Sequence, residues 1–317
     1  MSTTITETIS QTLPVISDSK PTDGAAPKRR DLHTTIWHAD EELHQKQLAE
    51  KGGKEDMWQG GDIYYPNPPK IAVEGVIEDV SGREDQFTLK DNGFIFGKQY
   101  TKVMLKTEDL SDTKKIKEQY YPEMEAWLKE VTGAPRVHVF HHGTRISSST
   151  FHINKFDRNA PPQHQPAVYA AHVDQSSWQA KNVVHSHFPD ECEALLHGRV
   201  MIVNAWRPIK PVYKDPFGVA DASTVPYQDL VIRPNRVFKD IRESMGLKPG
   251  KGHRWYYKFG QLPEDVLVFK GYDNHGKARA CAHTAFVDKE FEDGPARESI
   301  ELRALLFWPD DESVLKE

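Results

Sequence analysis

The segment His172-Val173-Asp174 sets an imidazole and a carboxylate two residues apart at the end of a strand-like run, residues 167–174. In a strand alternate side chains share a face, so His172 and Asp174 project together while Val173 points the other way. Such a pair supplies two of the three donors of the 2-His-1-carboxylate arrangement, which holds Fe(II) and leaves coordination positions open for oxygen chemistry. The third donor must come from a distant strand. His283 is the candidate, because it stands in the apolar stretch Cys281-Ala282-His283-Thr284-Ala285-Phe286. An imidazole in such surroundings needs a partner, and a metal ion is one. The plain alternative is a core histidine that is merely hydrogen-bonded.

Two arginines follow in the chain. Arg297 lies fourteen residues beyond His283 and Arg303 six further on. A dicarboxylate that chelates iron at one end leaves its other carboxylate to be anchored. A guanidinium does this in a two-pronged, permanently charged fashion. Arg303 interrupts the apolar strand Ile300-Glu301-Leu302-Arg303-Ala304-Leu305-Leu306-Phe307, with Glu301, Arg303 and Leu305 on one face. Arg297 shares that parity if the chain stays extended. A salt bridge from Arg303 to Glu301 is the competing reading.

Other histidines fit less well. His185 and His187 read as a solvated turn ahead of Pro189. His141 and His142 are adjacent and face opposite ways in a strand, and His253 has no arginine at a suitable distance beyond it. Lys51-Gly52-Gly53-Lys54 and Lys248-Pro249-Gly250-Lys251-Gly252 lack the strand and helix that a phosphate loop requires. No Gly-x-Ser-x-Gly elbow is present. No catalytic residue is assigned beyond the metal centre.

The elements that must position these groups are mostly strands. Runs at 137–141, 167–174, 200–206, 228–233, 254–259, 265–271, 281–287 and 299–307 are β-branched and aromatic, with Gly, Pro and Asp between them. Many short strands and few helices indicate a mainly β jelly roll or barrel. One helix is clear. Ile116, Tyr120, Met124, Trp127, Leu128 and Val131 recur at helical spacing after Ser111 or Asp112, and Gly133 ends the run. Shorter helices are expected from Pro189 to Leu196 and from Val237 to Met245. Residues 1–33 read as a disordered tail and residues 34–317 as one domain, whose first part, 34–70, is an extended arm.

Composition narrows the partners. The chain has 317 residues and a formal net charge of −6, so a bulk basic footprint for nucleic acid is missing. Its two cysteines, Cys192 and Cys281, form no close pair, which argues against a disulfide scaffold or a cysteine-rich zinc site and fits a reducing, cytoplasmic setting. No apolar run approaches the roughly 20 residues needed to cross a bilayer. The N-terminal stretch lacks the basic start and apolar centre of a secretory signal. A small-molecule substrate is expected, with no nucleic-acid or membrane partner, and a homodimer is left open.

At these residues the sequence resembles a known family, the mainly fungal group of natural-product hydroxylases and desaturases that includes gibberellin desaturase-like proteins and the small subunit of cephalosporin 7-alpha-methoxylase. The resemblance rests on an ordered series: Val137-His138-Val139-Phe140, His172-Val173-Asp174-Gln175-Ser176, Asn204-Ala205-Trp206-Arg207-Pro208, His253-Arg254-Trp255-Tyr256-Tyr257, Lys270-Gly271-Tyr272-Asp273, His283-Thr284-Ala285-Phe286, and Arg297 to Arg303. It implies a double-stranded β-helix (a cupin-like jelly roll), Fe(II), 2-oxoglutarate as cosubstrate and O2. It also implies metal-ligand roles for His172, Asp174 and His283. Ala282 stands where proline is common in the family, and Phe217-Gly218 where Leu-Ala is usual. If the parity they share faces the interior of that fold, Asn204 is expected toward the cosubstrate and Trp206 as an apolar wall for substrate, with Gln175 lining the entrance; the equal alternative for Trp206 is a core residue packed between the sheets. The expected activity is 2-oxoglutarate-coupled hydroxylation, desaturation or related C–H oxidation of a small natural product in secondary metabolism. The alternative is an accessory subunit that binds a partner enzyme without catalysis.

Overall fold

A computed structural model describes residues 29–50, 63–64, 68–104, 106–146, 167–237, 240–311 and 313–314. The chain begins in strand β1 (Leu32–Ala39), followed by helix α1 (Glu41–Glu50) and strands β2 (Ile63–Tyr64), β3 (Lys70–Asp79) and β4 (Phe94–Lys98). A single turn, α2 (Thr113–Lys115), and a π-helical turn at Ile116–Tyr120 lead into α3 (Tyr121–Thr132). Then come β5 (Arg136–Ile146), β6 (His172–Val173), α4 (Ser177–His187), α5 (Cys192–His197), β7 (Arg199–Pro208) and β8 (Phe217–Ala220). The chain closes with β9 (Leu230–Val237), β10 (Asp240–Leu247), β11 (Trp255–Tyr257), β12 (Asp265–Asp273), β13 (His283–Ala285) and β14 (Glu298–Trp308).

The strands form two sheets. The larger runs β1-β3-β11-β8-β13-β6-β10-β9-β2, and the smaller runs β4-β12-β7-β14-β5. This is the mainly β jelly roll with flanking helices that the spacing of strands and turns leads one to expect. Side-chain parity sorts the smaller sheet. On β7, Val203 and Ala205 join Ile300, Leu302 and Ala304 of β14 in a core under α3, which contributes Met124 and Leu128. Burying such side chains is worth about 1.5–3 kcal/mol each. The alternate residues, Asn204 and Trp206, therefore face the other sheet. The same logic holds in β6: Val173 is sealed in a separate core with Ile77, Leu247 and Trp255, so its neighbours face inward.

Helix α3 ends as its spacing foretells, at Gly133 with φ 70° in the left-handed region. Other expectations are corrected. The helix expected from Val237 to Met245 is absent from the described part of that span; β10 instead pairs with β9 over eight positions and with β6 at two. Tertiary pairing overrides the local pattern there. The arm is not simply extended, because β1 pairs along β3 and α1 follows it. His185 and His187 belong to α4, a helix not anticipated, capped by Ser176 Oγ accepting from Gln179 N at 3.1 Å. The disordered tail assigned to residues 1–33 lies outside the described residues up to residue 28, and the chain is already a strand at Leu32.

Candidate metal centre

His172 stands directly opposite His283 in the β6–β13 pair. Their rings lie 4.3 Å apart between centroids. Asp174 completes the set, with Oδ1 at 3.6 Å from His172 Nε2 and Oδ2 at 4.0 Å from His283 Nε2. One donor atom from each of the three falls within 4.8 Å of the others. Both imidazoles are turned by backbone carbonyls: His172 Nδ1 lies 2.7 Å from Ala170 O, and His283 Nδ1 lies 3.3 Å from Cys281 O. An Nδ1–H given to a carbonyl leaves the Nε2 lone pair for a metal. Burial pushes the His283 imidazole down to about 3, so it stays neutral. Burial alone would raise the Asp174 carboxyl, but Arg303 and the two imidazoles hold it well below the usual carboxylate range.

Three strands of the smaller sheet make the floor beneath this cluster. Reading across β5, β14 and β7, Arg145, Ser299 and Pro208 form one rung, Gly143, Glu301 and Trp206 the next, and His141, Arg303 and Asn204 the third. Between floor and cluster lies a cavity lined by His141, Arg145, His172, Asp174, Arg297 and Ser299. Among the described residues nothing beyond its chain neighbours lies within 4 Å of where a Gly143 β-carbon would sit, which leaves a gap in the described floor.

The sequence-selected residues divide by what they touch. Arg303 Nη2 lies 2.8 Å from Asp174 Oδ2 and 3.6 Å from Glu301 Oε1, so its charge is already engaged. Asn204, fully buried, donates Nδ2 to the same Asp174 oxygen at 2.6 Å, and its Oδ1 has no hydrogen-bond partner among the described residues. Arg297 is 3 % exposed and gives Nη1 to Asp215 O at 2.6 Å, with Nε unpartnered. Its guanidinium lies 5.5 Å from the Trp206 ring. Burial pushes it down to about 10, still cationic at neutral pH. Trp206 lines the cavity and also stacks on Phe217 at 5.0 Å, so it is wall and core at once. Gln175 is buried with Oε1 against Gly271 of β12 and is not among the residues that line the cavity.

The donor chemistry fits iron, and an unpaired buried guanidinium fits a carboxylate. Among the described residues Arg297 has no ion pair, and a buried charge in that condition is costly. Sequence reasoning overlooked His141, Gly143, Arg145 and Ser299 as cavity residues. For the first three the signal was the parity of β5, which continues to Ile146 rather than ending at His141; for Ser299 it was the parity of β14, shared with Glu301 and Arg303. Phe217, noted only as a departure from a family pattern, lies flat against the His283 ring at 5.6 Å and 12°.

A family model described as an oxidoreductase/YMDC permease-like domain matches residues 52–307. The chain is 33% identical over 236 residues to the alpha-ketoglutarate-dependent dioxygenase phiK of a Fungal sp., covering 71% of this chain and 81% of the relative. It is 33% identical over 259 residues to the hydroxylase/desaturase efuI of Hormonema carpetanum, covering 75% and 84%. The hydroxylase/desaturase CTB9 of Cercospora beticola is 28% identical with 98% of both chains covered. In structure the chain is similar to the iron and alpha-ketoglutarate-dependent endoperoxidase NvfI, with a TM-score of 0.69 at 22% identity over 87% of this chain and 98% of that one. At that identity the likeness speaks for the fold. Among the described residues no helix is long and apolar enough to cross a membrane.

Proposed function

Because this chain belongs to the family of Fe(II)- and 2-oxoglutarate-dependent dioxygenases and hydroxylase/desaturases, we propose that His172, Asp174 and His283 hold its iron and that Arg297 holds the far carboxylate of 2-oxoglutarate. The protein is an oxygenase that couples decarboxylation of 2-oxoglutarate to oxidation of a small molecule in natural-product biosynthesis. Iron held by His172, Asp174 and His283 would supply the O2 chemistry that couples oxidative decarboxylation of 2-oxoglutarate, to succinate and CO2, with oxidation of a C–H bond.

The observation that carries the arginine assignment is the contrast between two guanidiniums. Nε is unpartnered in both, but Arg303 is paired with Asp174, whereas Arg297 has no ion pair among the described residues. Ser299, two residues on and 1 % exposed, lines the same cavity and can donate to the same carboxylate. Asn204 and Arg303 orient the Asp174 carboxylate, and the Trp206–Phe217 stack excludes water from the His283 side. The remaining floor, from His141 to Arg145, faces the substrate.

The test is succinate formation from 2-oxoglutarate. It should require Fe(II), vanish in His172→Ala, and not be restored by zinc. Turnover that survives metal removal, or that zinc supports, would overturn the assignment. The accessory-subunit alternative predicts no turnover under any metal.

A further inference from the structure

Asp215 is the one non-glycine residue with positive φ among the described residues, at 50°. A β-carbon disfavours that backbone, and aspartate and asparagine tolerate it best. Asp215 also precedes Pro216, and a residue before proline is pushed toward extended conformations. Strain of this kind persists only where the surroundings over-determine it.

Several contacts fasten the turn. The Asp215 carbonyl accepts from Arg297 Nη1 at 2.6 Å, and its carboxylate accepts from the Tyr169 hydroxyl at 2.7 Å. On one side Lys214 Nζ donates to Glu292 O at 2.6 Å and Tyr213 stacks on Phe291 at 5.2 Å. On the other, Pro216 O accepts from Phe286 N at 3.3 Å. Asp215 itself is buried.

We propose that Asp215 is a positioning residue for the cosubstrate: its left-handed backbone aims a carbonyl at Arg297 and turns the rest of the guanidinium toward the cavity. This rests on the reading that Arg297 receives the far carboxylate of 2-oxoglutarate. An arginine side chain has several rotatable bonds, and one fixed acceptor removes much of that freedom before the ligand arrives. The Asp215 carboxylate could have neutralised Arg297 directly. Its hydrogen bond goes to the Tyr169 hydroxyl instead, so the carboxylate favours the Arg297 cation from nearby without taking up a guanidinium N–H among the described residues. Asp215 thus acts through Arg297 and not on the reacting atoms.

The test is calorimetric titration of 2-oxoglutarate into Mn(II)-loaded protein, in which no turnover occurs. Arg297→Gln should weaken binding about a hundredfold. Asp215→Ala should weaken it about tenfold, because alanine resists the left-handed backbone. Asp215→Asn and Asp215→Gly keep both the carbonyl and the tolerance for positive φ, so they should stay within about threefold of the natural protein. Manganese affinity should be unchanged throughout. If Arg297→Gln binds normally, the cosubstrate assignment falls and this inference with it. If Arg297→Gln is weak but Asp215→Ala binds normally, or Asp215→Gly is as weak as Asp215→Ala, the inference alone is wrong. Should Asp215→Ala not fold, Tyr169→Phe decides: freeing the carboxylate to pair with Arg297 should weaken 2-oxoglutarate several-fold, and unchanged affinity overturns the proposal.

Discussion

Asn204 and Arg303 stand opposite one another on β7 and β14 and reach the same atom, Oδ2 of Asp174, at 2.6 and 2.8 Å. Two donors on one oxygen fix the carboxylate and leave Oδ1 turned to His172. Removing either donor should loosen the proposed iron site without abolishing it. Asn204→Ala is expected to weaken Fe(II) affinity by about 10- to 100-fold, the usual cost of losing a group that orients a ligand. Anaerobic Fe(II) titration measures this, and unchanged affinity would show that the carboxylate needs no such support.

Replacing the proposed ligands themselves should have a larger effect. His172→Ala, Asp174→Ala and His283→Ala should each fail to retain stoichiometric iron after desalting, as read by metal analysis. Asp174→Ala should in addition lower the melting temperature slightly, because Arg303 loses its shorter ion pair and keeps only the longer one to Glu301. Full iron occupancy in any two of the three would dismiss the triad.

The two arginines are separable by kinetics. Arg297→Leu should raise the 2-oxoglutarate KM on the order of a hundredfold while iron binding survives, since a charge-assisted contact worth roughly 3 kcal/mol is lost. Arg303→Leu should mainly weaken iron, through Asp174. If Arg303→Leu instead moves the KM and Arg297→Leu does not, the roles are reversed.

Trp206→Ala should lower the melting temperature by about 10 °C, from a core cost of about 3–5 kcal/mol. Trp206→Phe should recover most of it by keeping the stack on Phe217. The same alanine variant should bind 2-oxoglutarate several-fold more weakly, because the ring beside Arg297 is gone. Thermal unfolding and ligand titration on one preparation check both effects; a stable Trp206→Ala protein would make this ring dispensable to the core.

Gly143 gives a test of the cavity that needs no substrate. The native cysteines are buried, and burial pushes the Cys281 thiol up, out of its reactive range. Gly143→Cys would place a thiol in open space, so it should react with a small maleimide at least about tenfold faster than either native cysteine. Labelling no faster than that of Cys192 would mean the floor is closed.

What the sequence determined by itself is local. The period of two around Val173 put His172 and Asp174 on one face, and the same period put Glu301, Arg303 and Leu305 on another. The helical period from Ile116 to Leu128 and the stop at Gly133 were equally readable, as was the third histidine from its apolar surroundings. The tertiary structure decided what depends on distant neighbours. β10 is a strand because β9 and β6 supply its hydrogen bonds, although its own residues suggested a helix. Gln175 sits behind the cavity because Gly271 of β12 leaves it room. Arg303 and Arg297 look alike in sequence, and their difference arises from which atoms the fold brings to each: a carboxylate from β6's end to one, a strained carbonyl to the other. Such pairings lie tens of residues apart in the chain, where no periodicity reaches.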